Sequence, residues 1–394
     1  MASHEPPVDV GLYVHVAFCK TKCYYCDFNT YAGLGHLIPS YVEALRSEIR
    51  RLPHSLPGLG PLPGPFRIGS IFFGGGTPSL LNPDQIAAVL DAAASWPISK
   101  AAEVTMEANP DDLSRDYLRE IRAAGVNRLS VGVQSFDDSM LKRLGRRHDA
   151  SSAQNALRDA RAAGFDNLSF DLMFALPGQT VEQWQQTLDQ ALELDPDHLS
   201  LYNLQIEPDT PFESWVASGQ LAVPDDDAAA DFYQAAIDRL QSGGYRHYEI
   251  SNWARRQSDH DFRAQHNLRY WRNQPYFGVG AGAHSGYLDF RYANERRPLA
   301  YASRTRHGES TVESVERIEP AVAMAETMML GLRLDEGVLV ETFRLRFGQT
   351  PKEVYGETLR ELEDASLIVA DGNQITLTPR GRFVGNEVFR RFLP

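Results

Sequence analysis

Three cysteines constrain this chain more than any other feature. Cys19, Cys23 and Cys26 are its whole cysteine complement, and they fall within eight positions of a 394-residue sequence. An odd, tightly clustered set in a large chain is poor material for disulfides and good material for a metal centre. Three thiolates can hold three irons of a [4Fe–4S] cube, which takes four when every corner is protein-bound. The fourth iron then keeps an open position, as reactive metal sites do. An amino and a carboxylate group of one ligand can chelate it there. The same loop has a second reading, a zinc site with His15 as fourth ligand, which makes the chain a zinc-stabilised binding module. Its His-x3-Cys spacing is unusual for zinc fingers.

Composition narrows the classes. Hydrophobic residues make up 43% and charged residues 23%, which excludes wholesale disorder. A net charge of −13 argues against nucleic-acid binding through bulk charge. No apolar run reaches the length of a membrane span. The start, MASHEPPVDV, lacks a basic segment followed by an apolar core, so no signal peptide is expected and the expected location is cytoplasmic.

Apolar, β-branched runs alternate with helical periodicity. Strands are predicted at 12–16, 70–73, 103–107, 128–133, 167–174 and 198–205. Helices are predicted at 40–51, 83–94, 114–123, 151–163, 181–194 and 226–241. Gly125 and Gly164 sit where helix C-cap glycines belong. Six βα units in a row predict a parallel sheet with helical crossovers, in an open doubly wound sheet or a partial (β/α) barrel. Residues 53–65, rich in proline and glycine, read as a surface loop. Residues 253–307 hold ten Arg, no Lys and ten aromatic rings in an otherwise acidic chain. From Pro320 onward, helices precede an Asp371-Gly372 hairpin signal, which suggests a small winged-helix-like module. The expected organisation is 1–250 for the core, 251–319 for a basic, aromatic extension completing the barrel, and 320–394 for the C-terminal module.

Polar groups recur at the ends of the predicted strands, where parallel α/β folds collect their chemistry. Strand one ends in the cysteine loop and strand two in Gly74-Gly75-Gly76-Thr77-Pro78. Strands three and four end at Glu107 and Gln134; strands five and six carry Asp171 and Gln205. Glycines in the second motif let the backbone approach a ligand, and no Gly-Lys-Ser/Thr follows to make a phosphate loop.

The stretch YVHVAFCKTKCYYCDF resembles the radical S-adenosylmethionine (SAM) signature, with Tyr25 as the aromatic before the last cysteine. Its flanks are similar to the oxygen-independent coproporphyrinogen oxidase group, with Ala17 where that group has proline. The resemblance implies an α/β fold, a partial TIM-like (β/α)6 radical SAM barrel with a small C-terminal helical domain. It implies a [4Fe–4S] cluster on Cys19, Cys23 and Cys26. It implies SAM contacts from Tyr13, Tyr25, Gly75, Gly76, Thr77, Glu107, Gln134, Arg146 and Asp171.

That group contains porphyrinogen dehydrogenases and heme chaperones. Phe28 stands where the dehydrogenases carry a further cysteine, and only twelve residues precede Tyr13. The stretches His266–Trp271 (HNLRYW) and Leu377–Arg382 (LTPRGR) resemble the chaperone branch. This implies heme as cargo and acceptor hemoproteins such as respiratory-chain cytochromes as partners, with peripheral contact to membrane-bound acceptors. Oxidative decarboxylation of two propionates of coproporphyrinogen III is the enzymatic alternative. Heme carries two carboxylates on a flat ring, and arginine pairs with the one and stacks on the other. The 253–307 stretch has that character, though local salt bridges at a barrel edge use the same residues. His266 is the candidate axial ligand, with a hydrogen-bonding role inside the motif as its alternative and His284 as a weaker candidate.

Overall fold

The structure is a computed structural model that describes residues 7–52, 66–257 and 259–393. The 53–65 loop and most of the N-terminal segment read for targeting lie outside them. Six strands lie side by side and parallel: β1 (Val8–Val16), β2 (Phe66–Gly75), β3 (Ile98–Ala108), β4 (Arg128–Gln134), β5 (Leu168–Phe174) and β6 (His198–Asn203). Each is largely apolar because both faces are covered, as parallel sheets require. A helix follows each strand. Asn82 and Thr180 start two of them with capping boxes, and Gly125 ends another at φ 117°.

The sheet continues past the six predicted strands. β7 (Tyr245–Glu249) and β8 (Asn252–Arg255) add antiparallel beyond β6. On the other side β9 (Tyr276–Val279) pairs parallel with β1, followed by antiparallel β10 (His284–Tyr287), β11 (Phe290–Asn294) and β12 (Val312–Arg317). The order is β12-β11-β10-β9-β1-β2-β3-β4-β5-β6-β8-β7. Residues 251–319 therefore lengthen the sheet at both ends, and the terminal strands β7 and β12 do not pair with each other. The result is a partial (β/α) barrel, open on one side.

Helix Gln265–Trp271 plugs the floor of this barrel. The Glu103 carboxylate of β3 accepts from the backbone N–H of Gln265 and of His266, each at 3.1 Å, and so holds the helix N-terminus. Trp271, at the far end, lies under the Arg333 guanidinium, 4.3 Å from its ring centre. The helix thereby joins the barrel to the C-terminal residues.

Those residues form a second core around Met328, Leu332, Phe343, Leu359, Ile375 and Phe389. A three-stranded sheet of Val338–Leu339, Gln374–Leu377 and Ile368–Ala370 closes it. The unit covers the β7 edge, which would otherwise offer unpaired backbone groups. Asp335 N–H donates to Tyr248 O at 2.9 Å, and Arg382 of LTPRGR meets His247 Nδ1 at 2.7 Å. Within that motif a Cβ on Gly381 would stand 1.9 Å from Leu367 O, so only glycine fits. No helix among the described residues is long and apolar enough to cross a membrane.

Glu48, on helix Ile38–Arg51, binds the extension to the barrel. Its fully buried carboxylate accepts from Tyr301 Oη (2.5 Å), Thr311 Oγ1 (2.7 Å), Asn294 Nδ2 (2.8 Å) and Gly280 N (2.9 Å). Tyr41, two turns earlier on the same face, donates to His15 O and accepts from Ala281 N. The Gly280–Ala283 turn is thus held against the strand that carries the cysteine loop.

Candidate functional site

The cysteine loop leaves β1 through the short strand Phe18–Cys19, and all three thiols are unbridged and partly exposed. Two of them already receive hydrogen bonds. Thr77 Oγ1 donates to Cys19 Sγ at 3.4 Å, and Arg146 Nη1 donates to Cys23 Sγ at 3.5 Å. Asn109 links these donors: its Nδ2 lies 3.4 Å from Thr77 Oγ1 and its Oδ1 accepts from Arg146 Nη2. Donors aimed at sulfur suit thiolates rather than thiols. Burial pushes the Cys26 thiol up.

The Gly-rich turn after β2 packs on the same loop. Gly76 N donates to Val16 O and Thr77 N to Phe18 O, each at 2.8 Å. Gly75 sits at φ 106°, and a Cβ there would stand 2.4 Å from the His15 ring. A side chain is excluded twice over, by conformation and by space. Gly75 N donates to Glu107 Oε2 at 3.2 Å, which ties β3 into the site.

Glu107, Gln134, Asp171 and Tyr13 line the strand ends, half-buried. Burial, then the neighbouring Asp171 charge, push Glu107 up to about 8 against the pull of Gly75 N–H and Arg128. Asp171 is pushed up to about 6 by burial, although Ser130 Oγ donates to it at 3.0 Å. Glu107 therefore holds a proton at neutral pH that a cationic ligand would displace, and the ionised Asp171 beside it helps to keep it there. Gln134 adopts φ 65°, a left-handed backbone rare outside glycine, at the mouth of β4. Tyr25 packs towards Phe212 beside Arg146, and burial pushes its phenol up.

The implied SAM contacts and the three cysteines thus gather at one end of the barrel. Asn109, in the MEANP stretch, is a bridging residue the sequence reading passed over; its signal was an amide directly after a strand end. Both ring nitrogens of His15 are taken, Nδ1 by Tyr13 Oη and Nε2 by Asn29 O, each at 3.0 Å. The zinc reading loses its fourth ligand. No three His, Cys, Asp or Glu side chains converge on a single ion among the described residues. Three unbridged thiols in one loop are a donor set compatible with three corners of a cube.

The porphyrin expectations fare differently. Of the ten arginines in 253–307, six (Arg255, Arg263, Arg272, Arg291, Arg297 and Arg304) form ion pairs with Asp or Glu. Trp253, Phe277, Tyr287, Tyr292 and Tyr301 lie in the core. The stretch owes much of its composition to local pairing and packing, the alternative its residues allowed. His266 lies fully buried on the barrel floor, away from the cysteine loop, with Nδ1 2.9 Å from Ser70 Oγ and Nε2 2.9 Å from Tyr270 Oη. Both nitrogens are engaged, so the hydrogen-bonding role is the one the geometry displays. His284 is exposed at the start of β10.

Residues 13–191 match the Radical SAM superfamily and residues 318–384 match the HemN C-terminal domain. The chain is 37% identical to the heme chaperone HemW of Lactococcus lactis, over 97% of this chain and 96% of that one. It is 35% identical to heme chaperone HemW of Bacillus subtilis, over 97% and 98%. Among solved structures, coproporphyrinogen III oxidase (HemN) of Escherichia coli superposes with a TM-score of 0.82 at 24% identity, covering 99% of this chain and 91% of that one. That likeness speaks for the fold.

Proposed function

The chain belongs to the heme chaperone HemW family of the radical SAM superfamily, and on that footing we propose that it binds a [4Fe–4S] cluster, SAM and heme, and passes heme to acceptor hemoproteins. One observation carries the cofactor part: sulfur-directed donors, a glycine turn and the buried carboxyl pair Glu107 and Asp171 meet at the strand ends beside three unbridged cysteines. Cys19, Cys23 and Cys26 would hold the cluster. When bound, the cluster supplies an open iron for the amino and carboxylate groups of SAM and an electron for its sulfonium.

The protein's own residues set the binding. Gly75, Gly76 and Thr77 bring backbone groups close to the nucleotide, with Tyr13, Tyr25, Gln134 and Arg146 around it. Glu107 and Asp171 answer its positive charge. This predicts a pH dependence. Glu107 at about 8 is mostly protonated at neutral pH, and the cation prefers the carboxylate. SAM affinity of the cluster-loaded protein therefore rises as pH rises towards 8 and levels off above it, with a proton released on binding at pH 7. Calorimetry in buffers of different ionisation heat measures this, and Glu107→Gln should flatten the profile. A wild-type affinity independent of pH removes Glu107 from the contacts.

Heme as cargo is supported by the relatives' names and by the HNLRYW and LTPRGR stretches. The proposed setting is the cytoplasm, with respiratory-chain cytochromes as acceptors and peripheral contact where an acceptor sits in a membrane. The deciding experiment uses one anaerobically reconstituted sample. Hemin titration is expected to saturate near one equivalent with a Soret band, and incubation with SAM, reductant and coproporphyrinogen III is expected to yield no enzyme-like decarboxylation. Protoporphyrinogen at sustained turnover would establish the dehydrogenase instead.

A further inference from the structure

The hydrogen bonds between the glycine turn and the cysteine loop have a direction, and a residue that can only donate decides it. Arg146 Nη2 meets the Asn109 side chain at 2.5 Å, and a guanidinium has no acceptor. The atom facing it is therefore Asn109 Oδ1, which leaves the Nδ2 amide to face Thr77 Oγ1 at 3.4 Å. The threonine oxygen accepts there, and its one proton is free to go on to Cys19 Sγ, 3.4 Å away. The guanidinium reaches the second sulfur itself, from Nη1 to Cys23 Sγ at 3.5 Å. One amide thus holds both of these sulfur donors: it donates to the hydroxyl and accepts from the guanidinium.

Asn109 is held in place by its backbone rather than by that side chain. Its N–H donates to Ser79 Oγ at 3.2 Å, its carbonyl accepts from Asp112 N at 3.1 Å, and Pro110 follows it. Asp112 also takes Lys20 Nζ from the cysteine loop at 2.5 Å, so loop and strand end are joined without the amide. Arg146 has a further anchor in Gly132 O at 2.7 Å, where a Cβ on the glycine would stand 3.3 Å from Nη2. The Asn109 side chain can therefore be exchanged without removing what positions the cysteines. What it contributes is the aim of the donors.

We infer that Asn109 is a positioning residue for the cluster: through Thr77 and Arg146 it aims hydrogen bonds at two ligand sulfurs and so raises the reduction potential of the centre they would hold. This rests on the cluster reading above. An electron added to an iron–sulfur centre brings negative charge that spreads onto its sulfurs, and donors aimed at them stabilise the reduced form over the oxidised one. A hydroxyl that itself accepts a hydrogen bond is the stronger donor, so the amide acts on Cys19 through the threonine without touching the sulfur. No bond forms or breaks at Asn109, and no proton leaves it.

Redox titration of the anaerobically reconstituted full chain without SAM, followed by electron paramagnetic resonance, tests this. Asn109→Leu replaces the amide by methyl groups of similar bulk. It should load iron and sulfide as unaltered protein does and shift the midpoint potential to a more negative value. Asn109→Asp keeps an acceptor for Arg146 but offers Thr77 no donor and adds a negative charge, so its shift should be larger in the same direction. It also gives the reading if the leucine variant does not load. Thr77→Val should shift the potential the same way. The double variant Asn109→Leu, Thr77→Val should fall short of the two single shifts added together, because part of the amide's effect passes through the hydroxyl. A merely structural role would lower cluster content and leave the potential of what loads unchanged. A wild-type potential in both Asn109 variants, strictly additive shifts with Thr77→Val, or loss of the cluster from both Asn109 variants overturns the inference and leaves the cluster reading intact. No cluster in unaltered protein overturns both.

Discussion

Replacing Cys23 by alanine is expected to abolish iron–sulfur incorporation. The loop supplies three thiols, and none of the nearby groups can stand in for a lost one: both nitrogens of His15 are committed to Tyr13 and Asn29. Two thiolates leave half of a cube without protein ligands. Cys23 is also the sulfur that meets Arg146, a buried guanidinium otherwise held by Asn109 and Gly132 O. Its removal therefore takes one hydrogen-bond partner from a buried cation, so a modest loss of stability should accompany the loss of metal. Iron and sulfide analysis after anaerobic reconstitution, with the absorption spectrum, reads the first effect; thermal unfolding reads the second. Cys23→Ala protein that retains wild-type iron and sulfide would falsify the ligand assignment. Thr77→Val is a useful contrast, because it removes a donor to Cys19 without removing a ligand. It should keep its cluster and alter only the cluster's electronic properties.

Glu48→Ala should be among the most destabilising single changes in the chain, by about 3–5 kcal/mol. The carboxylate is fully buried, and Tyr301, Thr311 and Gly280 N–H would each lose their acceptor; Asn294 keeps a second one in Gly280 O. Burial pushes Glu48 up from its ordinary 4.5, so the folded protein holds the proton more tightly than the unfolded chain. The stability this contributes is fully present below 4.5 and is lost as pH rises through the folded value. The gap between wild type and variant is therefore widest in acid and narrows with rising pH. Chemical denaturation across pH measures it. A flat gap, or one below about 1 kcal/mol, would mean that water replaces the carboxylate. Because Glu48 also holds the Gly280 turn beside His15 and Tyr41, the variant should load cluster poorly even where it folds.

Much of the cysteine-bearing end of this barrel could be read from residue order alone. β1 to β6 were legible because strands buried on both faces carry continuous apolar runs, and each ends where the polarity changes. Glu107, Gln134 and Asp171 lie at or near those ends, so their convergence follows from parallel topology. The short strands β8 to β12 were hidden. Val312–Arg317 is mostly exposed and Tyr276–Val279 is four residues long, so neither carries enough apolar periodicity to stand out among arginines.

His266 and the arginines of 253–307 show the other limit. Residue type suggested a porphyrin contact, yet Glu295, Glu326 and Glu336, distant from or beside them in the chain, hold five of the ten arginines in ion pairs. The cysteine spacing, the glycine turn and the strand-end carboxyls are local patterns, and local patterns alone already pointed to a parallel α/β scaffold with its polar groups gathered beside the cysteine loop. Which groups occupy the histidine nitrogens, which arginines are spent on acids, and that the C-terminal unit seals the β7 edge were decided only in three dimensions. These depend on partners tens to hundreds of residues apart, and the free energy of burying a polar group is set by what it meets there rather than by its neighbours in sequence.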